Sequence, residues 1–440
     1  MGKPDRETIR GILQDFRDAY PMPLTRREGE ILPFKHVALS VVGARRSGKT
    51  YRTYQCIDDF IAGGADLQHV CRIQFHDHRL SGLAASDLSI IDDTHRSMNP
   101  RSSNGAPTLF IFDEIHRIEG WEDYVLSLLD NPLNRVVITG STSKLLRGDI
   151  AGGLRGKNLS SELLPFSFRE FLRHHGIEPE ATSSKGRAAV VGAFDRYLTQ
   201  GGFPGLLDQH PRLHLDILQN YWDTMVLKDI IEAHPEERIN ISTFNHFALG
   251  LISRVGRPLS ISRLNTDLRE AGLSFSTDTL YRFFDYLQDA FMVFPVAFHS
   301  PSPRVRNRNY VKVYAVDWAL ADAITPGGGI DESRRLENLV YLHLRRLGHL
   351  VSYYRTRKGH KIDFVALPAK PRASKGTLVQ VCLRIDAPDT LERELRGIPE
   401  TMRFLDLDAA LVITRDHEET IIADGVSVRV IPAWKWMLEA

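Results

Sequence analysis

The chain has 440 residues, which predicts several domains, because a single domain usually holds about 100–200 residues. Its 56 basic and 55 acidic residues nearly cancel, which excludes a molecule covered in positive charge and leaves any nucleic-acid surface as a local patch. The three widely spaced cysteines do not support a disulfide framework, and neither a signal peptide nor a membrane helix is predicted, so we expect a cytoplasmic protein with no membrane contact.

Predicted helices and strands alternate in the first part of the chain. Residues 5–20 predict a short helix, and the valine-rich run 36–43 predicts a buried strand of a parallel sheet. A second helix is predicted over 50–64. Further strands are predicted at 69–75, 108–114 and 134–141. Residues 92–107 are polar and rich in turn formers, which predicts a loop. This alternation indicates an α/β domain with a parallel sheet.

The pattern changes after about residue 165. Helical periodicity dominates from 211 to 290, and two β-rich runs follow, joined by the basic segment 300–309. Three short helices followed by a hairpin is the element order of a winged helix. From residue 331 the pattern returns to α/β, with a helix, several strands and a further helix near 390–405.

The segment GARRSGKT, residues 43–50, matches the phosphate-binding pattern G-x-x-x-x-G-K-[ST] between a predicted strand and a predicted helix. Its glycines let consecutive backbone N–H groups face phosphates, and the following helix adds the positive end of its dipole. Lys49 would reach the β- and γ-phosphates of ATP, and the Thr50 hydroxyl would bind Mg²⁺. The candidate cofactor-binding residues are Gly43, Ala44, Arg45, Arg46, Ser47, Gly48, Lys49, Thr50 and Tyr51.

The run TLFIFDE at 108–114 supplies two acids at the end of a predicted strand. Asp113 emerges where ligands bind in open α/β sheets, and it would hold Mg²⁺ together with Thr50. Glu114 follows directly and would polarise the attacking water. The alternative is a strand that ends in two acids by chance.

Three further residues are candidates for contact with the γ-phosphate. Thr139 and Ser141 end the strand candidate 134–141, and the sequence does not choose between them as a phosphate sensor. Arg155 lies on a segment that could face a neighbouring subunit and supply an arginine in trans. The alternatives are a plain exit from a strand and a solvated surface arginine.

A cluster of basic residues lies where the wing of a winged helix is expected. We expect Arg304, Arg306, Arg308 and Lys312 to share one turn and to contact DNA phosphates without sequence preference. The helix before the hairpin carries three acids, Asp278, Asp285 and Asp289, against one base, Arg282, which weakens direct reading of a DNA groove. A solvated turn and a protein partner are the alternatives.

Several phrases of the sequence are more specific than the phosphate loop. These include IFDEIHRIEGWEDYV, ELLPFSFREFL, YLTQGGFPG and YYRTRKGHKIDFV. With them the chain resembles the prokaryotic AAA-type ATPases that carry a C-terminal domain of unknown function 4143. The resemblance implies an α/β, AAA-type P-loop NTPase core with a parallel sheet, a helical and winged-helix middle domain, and a restriction-endonuclease-like α/β C-terminal domain.

In that nuclease type, a helix glutamate, a strand aspartate and an acid-x-lysine pair gather Mg²⁺. Carried over by this resemblance, Glu337 and Asp363 match, whereas the third position is Gln380, followed by Val381 and Cys382. Glutamine is neutral and cysteine cannot replace the lysine. We therefore expect weak metal binding and a vestigial site.

The domains predicted together are an N-terminal helical segment at 1–35, an ATPase core at 36–205, a lid or linker at 206–240, a winged helix at 241–317 and a nuclease-like domain at 318–440. The leading hypothesis is an oligomeric ATPase, a hexamer or a dimer, that acts as a DNA-associated motor or remodeller. The alternatives are an ATP-dependent regulatory switch with a protein partner and an active Mg²⁺-dependent nuclease.

Overall fold

The chain is seen in a computed structural model. It describes residues 3–29, 31, 33–99, 105–142, 153–180, 183–237, 239–273, 275–308, 310–325, 329–369, 375–385 and 388–439. Two compact units make up the chain. One unit is Met1–Leu164 with Asp289–Phe291, and the other is Pro165–Gln288 with Met292–Ala440. Within the described residues, no helix has the length and apolar character needed to cross a membrane.

The first unit is built on a five-stranded parallel sheet. Its strands are β1 (Ala38–Val42), β2 (Val70–Gln74), β3 (Thr108–Asp113), β4 (Asn134–Gly140) and β5 (Asn158–Glu162). They lie in the order β2-β3-β4-β1-β5. The described helices are α1 (Arg6–Ala19), α2 (Lys49–Ala62), α3 (Ser89–Met98) and α4 (Glu122–Leu129). This arrangement confirms the predicted parallel α/β core.

The sequence of β1 and β3 explains their central positions. All five residues of β1 and the last five of β3 are buried, as expected when a parallel sheet is covered on both faces. The strand β4 lies between them and pairs with both in parallel register. The loop after β1 and the acids after β3 therefore lie at the same edge of the sheet.

The predicted loop at 92–107 is wrong over its first part, because α3 extends to Met98. Ile91, Thr94 and His95 form one buried face of this helix, and α3 packs against α1. Because two of these three residues and most of the others are polar, the sequence lacked the apolar periodicity that predicts a helix.

The second unit begins with helices. They are α5 (Phe168–His174), α6 (Ser184–Gln200), α7 (Pro204–Leu207) and α8 (His214–Met225), which continues as a π-helix over Val226–Ile231. Next come α9 (Ile241–Ile252), β6 (Pro258–Leu259), α10 (Ile261–Glu270), α11 (Thr277–Asp289), β7 (Val293–Val296), α12 (Pro303–Arg308) and β8 (Val311–Ala315). The three strands form a small antiparallel sheet in the order β6-β8-β7.

The second glycine of the phrase GGFP takes part in a buried group of hydrogen bonds with Phe166 and Asp317, called the buried joint below. The Gly202 N–H donates to Asp317 Oδ2 at 2.7 Å, and the Gly202 carbonyl accepts from the Phe166 N–H at 2.7 Å. Asp317 is fully buried, and its Oδ1 caps the helix α13 (Trp318–Ile324). A Cβ at Gly202 would lie 2.6 Å from the Phe166 carbonyl oxygen, so only glycine fits.

The C-terminal part of the second unit is a six-stranded mixed sheet. Its strands are β9 (His349–Arg355), β10 (Lys361–Pro368), β11 (Thr377–Val381), β12 (Ala409–Thr414), β13 (Glu419–Ala423) and β14 (Val426–Pro432), in the order β13-β14-β12-β11-β10-β9. The accompanying helices are α14 (Glu332–Arg346), α15 (Pro388–Leu395), α16 (Ile398–Leu405) and α17 (Ala433–Glu439). The register between β9 and β10 shifts between Ile362 and Val365, which marks a bulge.

Candidate nucleotide site

The loop between β1 and α2 has the geometry of a phosphate cradle. Gly48 adopts a left-handed conformation, with φ of 99°, at the N-terminus of α2. At Gly43 the chain passes so close to the Leu163 carbonyl that a Cβ would collide with it. The loop therefore needs glycine at both ends, and its backbone N–H groups precede a 14-residue helix.

The Lys49 side chain lies inside this loop. The residue is 6% exposed, and its ammonium donates to the carbonyl oxygens of Gly43 at 2.9 Å and Ala44 at 3.0 Å. Arg46 is exposed and Arg45 is half-buried, whereas Tyr51 on the first turn of α2 is 52% exposed. The loop thus holds one buried positive charge and displays further cations at its rim.

Asp113 is the centre of a hydrogen-bond network at the end of β3. Its Oδ2 accepts from the Thr50 hydroxyl at 2.9 Å, from Arg72 at 3.2 Å and from Gln74 at 3.3 Å. Its Oδ1 accepts from the Thr139 hydroxyl at 2.6 Å. The structure therefore brings the two predicted metal ligands together. A hydroxyl and a carboxylate side by side are the oxygen donors that Mg²⁺ prefers, so these residues fit the metal.

Glu114 lies directly beside this network in a left-handed conformation, with φ of 63°. Its backbone N–H donates to the Thr139 hydroxyl at 3.0 Å, and its carboxylate lies 3.7 Å from His116 Nε2. The Thr139 hydroxyl thus fixes both acids. Ser141, just beyond β4, is 5% exposed. Arg155 is exposed, with a left-handed φ of 49°.

Two buried arginines support the site and were not predicted from the sequence. Arg72 in β2 pairs with Asp113, and its guanidinium lies 4.5 Å from the centre of the Tyr54 ring. Arg27, which precedes the sheet, donates to the carbonyl of Ser47 at 2.8 Å and to that of Leu164. The signal for Arg72 was a charged residue within an otherwise apolar strand, because a buried charge needs a partner.

The residues predicted to contact DNA do not all lie on one surface of the structure. Arg304 and Arg306 are exposed on α12, while the side chain of Arg308 lies outside the described residues. Lys312 does not share their surface, which corrects the prediction: it is 5% exposed in β8 and binds Glu337 at 2.8 Å and Asp363 at 3.0 Å. Alternation along the strand turns Lys312 inward.

The three predicted nuclease-type residues lie near one another. Asp363 is joined to Gln380 through its own backbone N–H, which donates to Gln380 Oε1 at 3.2 Å. Glu337 and Asp363 share the ammonium of Lys312. Within the described ranges, no group of three or more His, Cys, Asp or Glu side chains is placed to hold a metal ion.

The loop, the acid-ended strand and the parallel sheet define a P-loop core, and residues 35–172 match the family model of an AAA domain. The protein therefore contains an AAA-type P-loop domain. The chain belongs to the family of the uncharacterized protein MJ1544 of Methanocaldococcus jannaschii, to which it is 30% identical over 97% of this chain and 94% of that protein. It is also 26% identical to an uncharacterized protein of Haemophilus influenzae, over 90% of this chain and 93% of that protein.

After the AAA domain in the sequence, residues 191–332 match the model of a domain of unknown function, DUF8612. The expected DUF4143 assignment is not confirmed, since the model that matches residues 191–332 is DUF8612. The nuclease-like domain is not confirmed either. This match covers the small sheet and ends at residue 332, the first residue of α14.

Two solved structures resemble the chain at low similarity. The Walker-type ATPase of Pyrococcus abyssi is 15% identical, with 74% of this chain and 98% of that chain covered and a TM-score of 0.39. Cdc6p from Pyrobaculum aerophilum is 12% identical, with 77% and 93% covered and a TM-score of 0.25.

Proposed function

We propose that this protein binds Mg–ATP at the loop 43–50 and hydrolyses it. The observation that carries the proposal is the 2.9 Å contact between the Thr50 hydroxyl and Asp113, beside the buried Lys49 ammonium. Thr50 and Asp113 would hold Mg²⁺, which when bound neutralises charge on the terminal phosphates. Lys49 would exchange its two carbonyl contacts for phosphate oxygens, because its point charge pairs more strongly with a phosphate.

Glu114 is the proposed general base. Its carboxylate follows Asp113 at the same strand end, and its backbone is fixed by the Thr139 hydroxyl. This anchoring holds the acid close to the loop, where it would orient a water toward the γ-phosphate. Because the Thr139 hydroxyl donates to Asp113 and accepts from the Glu114 N–H, we assign Thr139 to positioning these two acids, and Ser141 stays the other candidate for sensing the γ-phosphate.

Binding and turnover of Mg–ATP test the two roles separately. Lys49→Ala should raise the Kd for Mg–ATP at least about tenfold, because the phosphates lose their buried cation. Glu114→Gln should bind Mg–ATP normally and lose roughly 10²–10⁴-fold in turnover. Lys157→Ala is the control, since this partly exposed lysine of the same unit pairs with the surface acid Asp130. Normal turnover in Glu114→Gln would refute the assigned base.

Arg155 is the proposed trans-acting arginine of an oligomer. Its exposure allows the side chain to reach a neighbouring copy. In that role Arg155→Ala lowers turnover without changing Mg–ATP affinity, because the guanidinium stabilises charge only during phosphoryl transfer. Mixing Arg155→Ala with Glu114→Gln protein should restore part of the turnover in mixed oligomers. Failure to restore any would count against action in trans.

We further propose that the second unit associates with DNA. The order of α9, β6, α10, α11, β7 and β8, with its small antiparallel sheet, has the connectivity of a winged helix. Arg304 and Arg306 are exposed on the segment that joins the last two of these strands.

The hairpin between β9 and β10 extends this basic surface. Tyr353 of β9 donates its hydroxyl to the Tyr310 carbonyl, and its backbone N–H donates to the Ala297 carbonyl at 3.0 Å, so β9 lies against the segment that carries α12. The exposed cations of the hairpin are Arg355, Arg357, Lys358 and Lys361. Such a group of cations suits phosphate contacts that carry no sequence information.

DNA affinity as a function of salt tests this surface. The double variant Arg304→Ser/Arg306→Ser should weaken binding to all duplexes and lower the salt slope by about 1 for each lost phosphate contact. Arg269→Ser, an exposed arginine on α10, is the matched control. Many-fold stimulation of ATP turnover by DNA would favour a motor. Turnover that is indifferent to DNA would favour the alternative, a regulatory switch with a protein partner.

A further inference from the structure

A buried ammonium lies between two carboxylates in the second unit. Lys312 comes from β8, Glu337 from α14 and Asp363 from the bulged part of β10. The Lys312 Nζ lies 2.8 Å from Glu337 Oε1 and 3.0 Å from Asp363 Oδ1. The side chain of Lys312 is 6% exposed, while those of Glu337 and Asp363 are 15% and 14% exposed. Three elements that are distant in the chain therefore meet at one ion cluster.

Both carboxylates also accept hydrogen bonds from other groups of the chain. The Tyr314 hydroxyl donates to Glu337 Oε1 at 2.6 Å, and the Val381 N–H donates to Asp363 Oδ2 at 3.1 Å. The Gln380 amide donates to Glu394 Oε2 at 2.6 Å, so it does not supply the third acid of a metal site. Each carboxylate thus accepts from at least two donors that the protein provides.

A divalent metal does not fit beside these groups. Mg²⁺ needs about six oxygens at about 2.0–2.1 Å, whereas the space between the two carboxylates is occupied by an ammonium. The backbone of Gly256 also approaches closely, since a Cβ there would lie 3.2 Å from Glu337 Oε2. Burial by itself would lower the pKa of Lys312, but Asp363 and Glu337 outweigh it and raise the pKa, so the side chain stays charged.

We propose that Lys312 is a built-in counter-cation that occupies the metal position between Glu337 and Asp363 and joins the small sheet to the C-terminal sheet. The cluster is then a structural ion triad, and the two carboxylates do not take up Mg²⁺ while the lysine is present. Replacing the ammonium with a neutral side chain of similar length leaves two adjacent buried carboxylates without a counter-charge. Such a pair lowers its repulsion by binding a divalent cation.

Mn²⁺ binding to the full-length, nucleotide-free protein tests this proposal by electron paramagnetic resonance. The wild type should show no Mn²⁺ site that depends on Asp363. Lys312→Met should gain one Mn²⁺ per chain, bound at least about tenfold more tightly than any Mn²⁺ bound by the wild type. The double variant Lys312→Met/Asp363→Asn should lose this site again. Lys361→Met is the matched control, because this exposed lysine lies two residues from Asp363 on the same strand.

Several results would overturn the proposal. One is a wild-type Mn²⁺ site that disappears in Asp363→Asn, and another is a folded Lys312→Met protein that gains no Mn²⁺. Mn²⁺-dependent nicking of supercoiled plasmid by the wild type, lost in both Asp363→Asn and Lys312→Met, would make Lys312 part of a nuclease centre instead.

If Lys312→Met does not fold, a triple variant tests the proposed role of Lys312 instead. The triple variant Lys312→Met/Glu337→Gln/Asp363→Asn carries no charge at these three positions. Recovery of folding in this variant supports the lysine as counter-cation, because the unfolding is then due to two uncompensated carboxylates. A triple variant that also fails to fold would overturn the role.

Discussion

The buried ion pair between Arg72 and Asp113 makes a quantitative prediction about the first unit. The two side chains are 4% and 1% exposed, and the Arg72 guanidinium lies 3.2 Å from Asp113 Oδ2. Burial lowers the pKa of Arg72, and the Asp113 carboxylate opposes this effect. Replacing Arg72 with methionine keeps most of the apolar stem and removes the charge.

Removal of one partner of a buried ion pair typically costs about 3–5 kcal/mol, because the other charge remains buried without compensation. Asp113 would keep its hydrogen bonds from the hydroxyls of Thr50 and Thr139. We therefore expect Arg72→Met to lose about 3 kcal/mol, the lower end of this range. In a unit of this size, that loss corresponds to a fall in Tm of roughly 6–12 °C.

Urea unfolding measures this loss, with Arg79→Met as the control. Arg79 also pairs with carboxylates of the same unit, at 2.6 Å to Asp15 and 2.7 Å to Asp77, but its side chain is 36% exposed. Its loss should cost less than about 1 kcal/mol. The deficit of Arg72→Met should shrink in saturating Mg–ATP, since a metal ion would supply a cation at Asp113. Equal losses in the two variants would refute the reasoning.

Three further predictions concern the buried joint of the second unit and the phosphate loop. Burial raises the pKa of Asp317 from 3.8 to about 6, so the native chain keeps a proton that the unfolded chain releases between these values. The stability that Asp317 contributes should therefore fall by roughly 2 kcal/mol as pH rises from 4 to 7, and urea unfolding of Asp317→Asn at both pH values should not show this fall. Gly202→Ala should lower the unfolding free energy by about 1–3 kcal/mol through its clash with the Phe166 carbonyl. By contrast, Gly192→Ala, in the middle of α6 with open space around it, should raise the unfolding free energy by about 0.5–1 kcal/mol. A change of the same sign in both variants would contradict the steric role of Gly202. Arg27→Met should raise the Kd for Mg–ATP at unchanged protein fold, measured by calorimetry and circular dichroism, because the loop loses its hydrogen bond at Ser47; an unchanged Kd would remove Arg27 from the site.

Much of the nucleotide site was predictable because its parts are local in the chain. Lys49 and Thr50 follow their glycines within one short loop, and Asp113 and Glu114 end one apolar strand. The structure places Thr50 beside Asp113, as the rule on the carboxyl ends of parallel strands leads one to expect. The role of Glu114 as base and the trans role of Arg155 stay predictions.

The second unit was less predictable, and Lys312 shows why. Its neighbours in sequence are cations of an exposed segment, which favoured a shared basic turn. A strand alternates its faces, however, so the side chain of Lys312 enters the protein. From the sequence alone, however, one cannot tell which face of the strand is buried, because that depends on where the neighbouring sheet and helix lie.

The sequence by itself determined the phosphate loop, the acid-ended strand and the α/β class, because each depends on residues within a few positions of one another. Only the tertiary structure decided which charges are buried together. Arg72 lies 41 positions from Asp113, and Lys312 lies 51 positions from Asp363. Such pairs depend on how strands and helices pack, and a buried charge is stable only after that packing has brought its partner within a few ångströms.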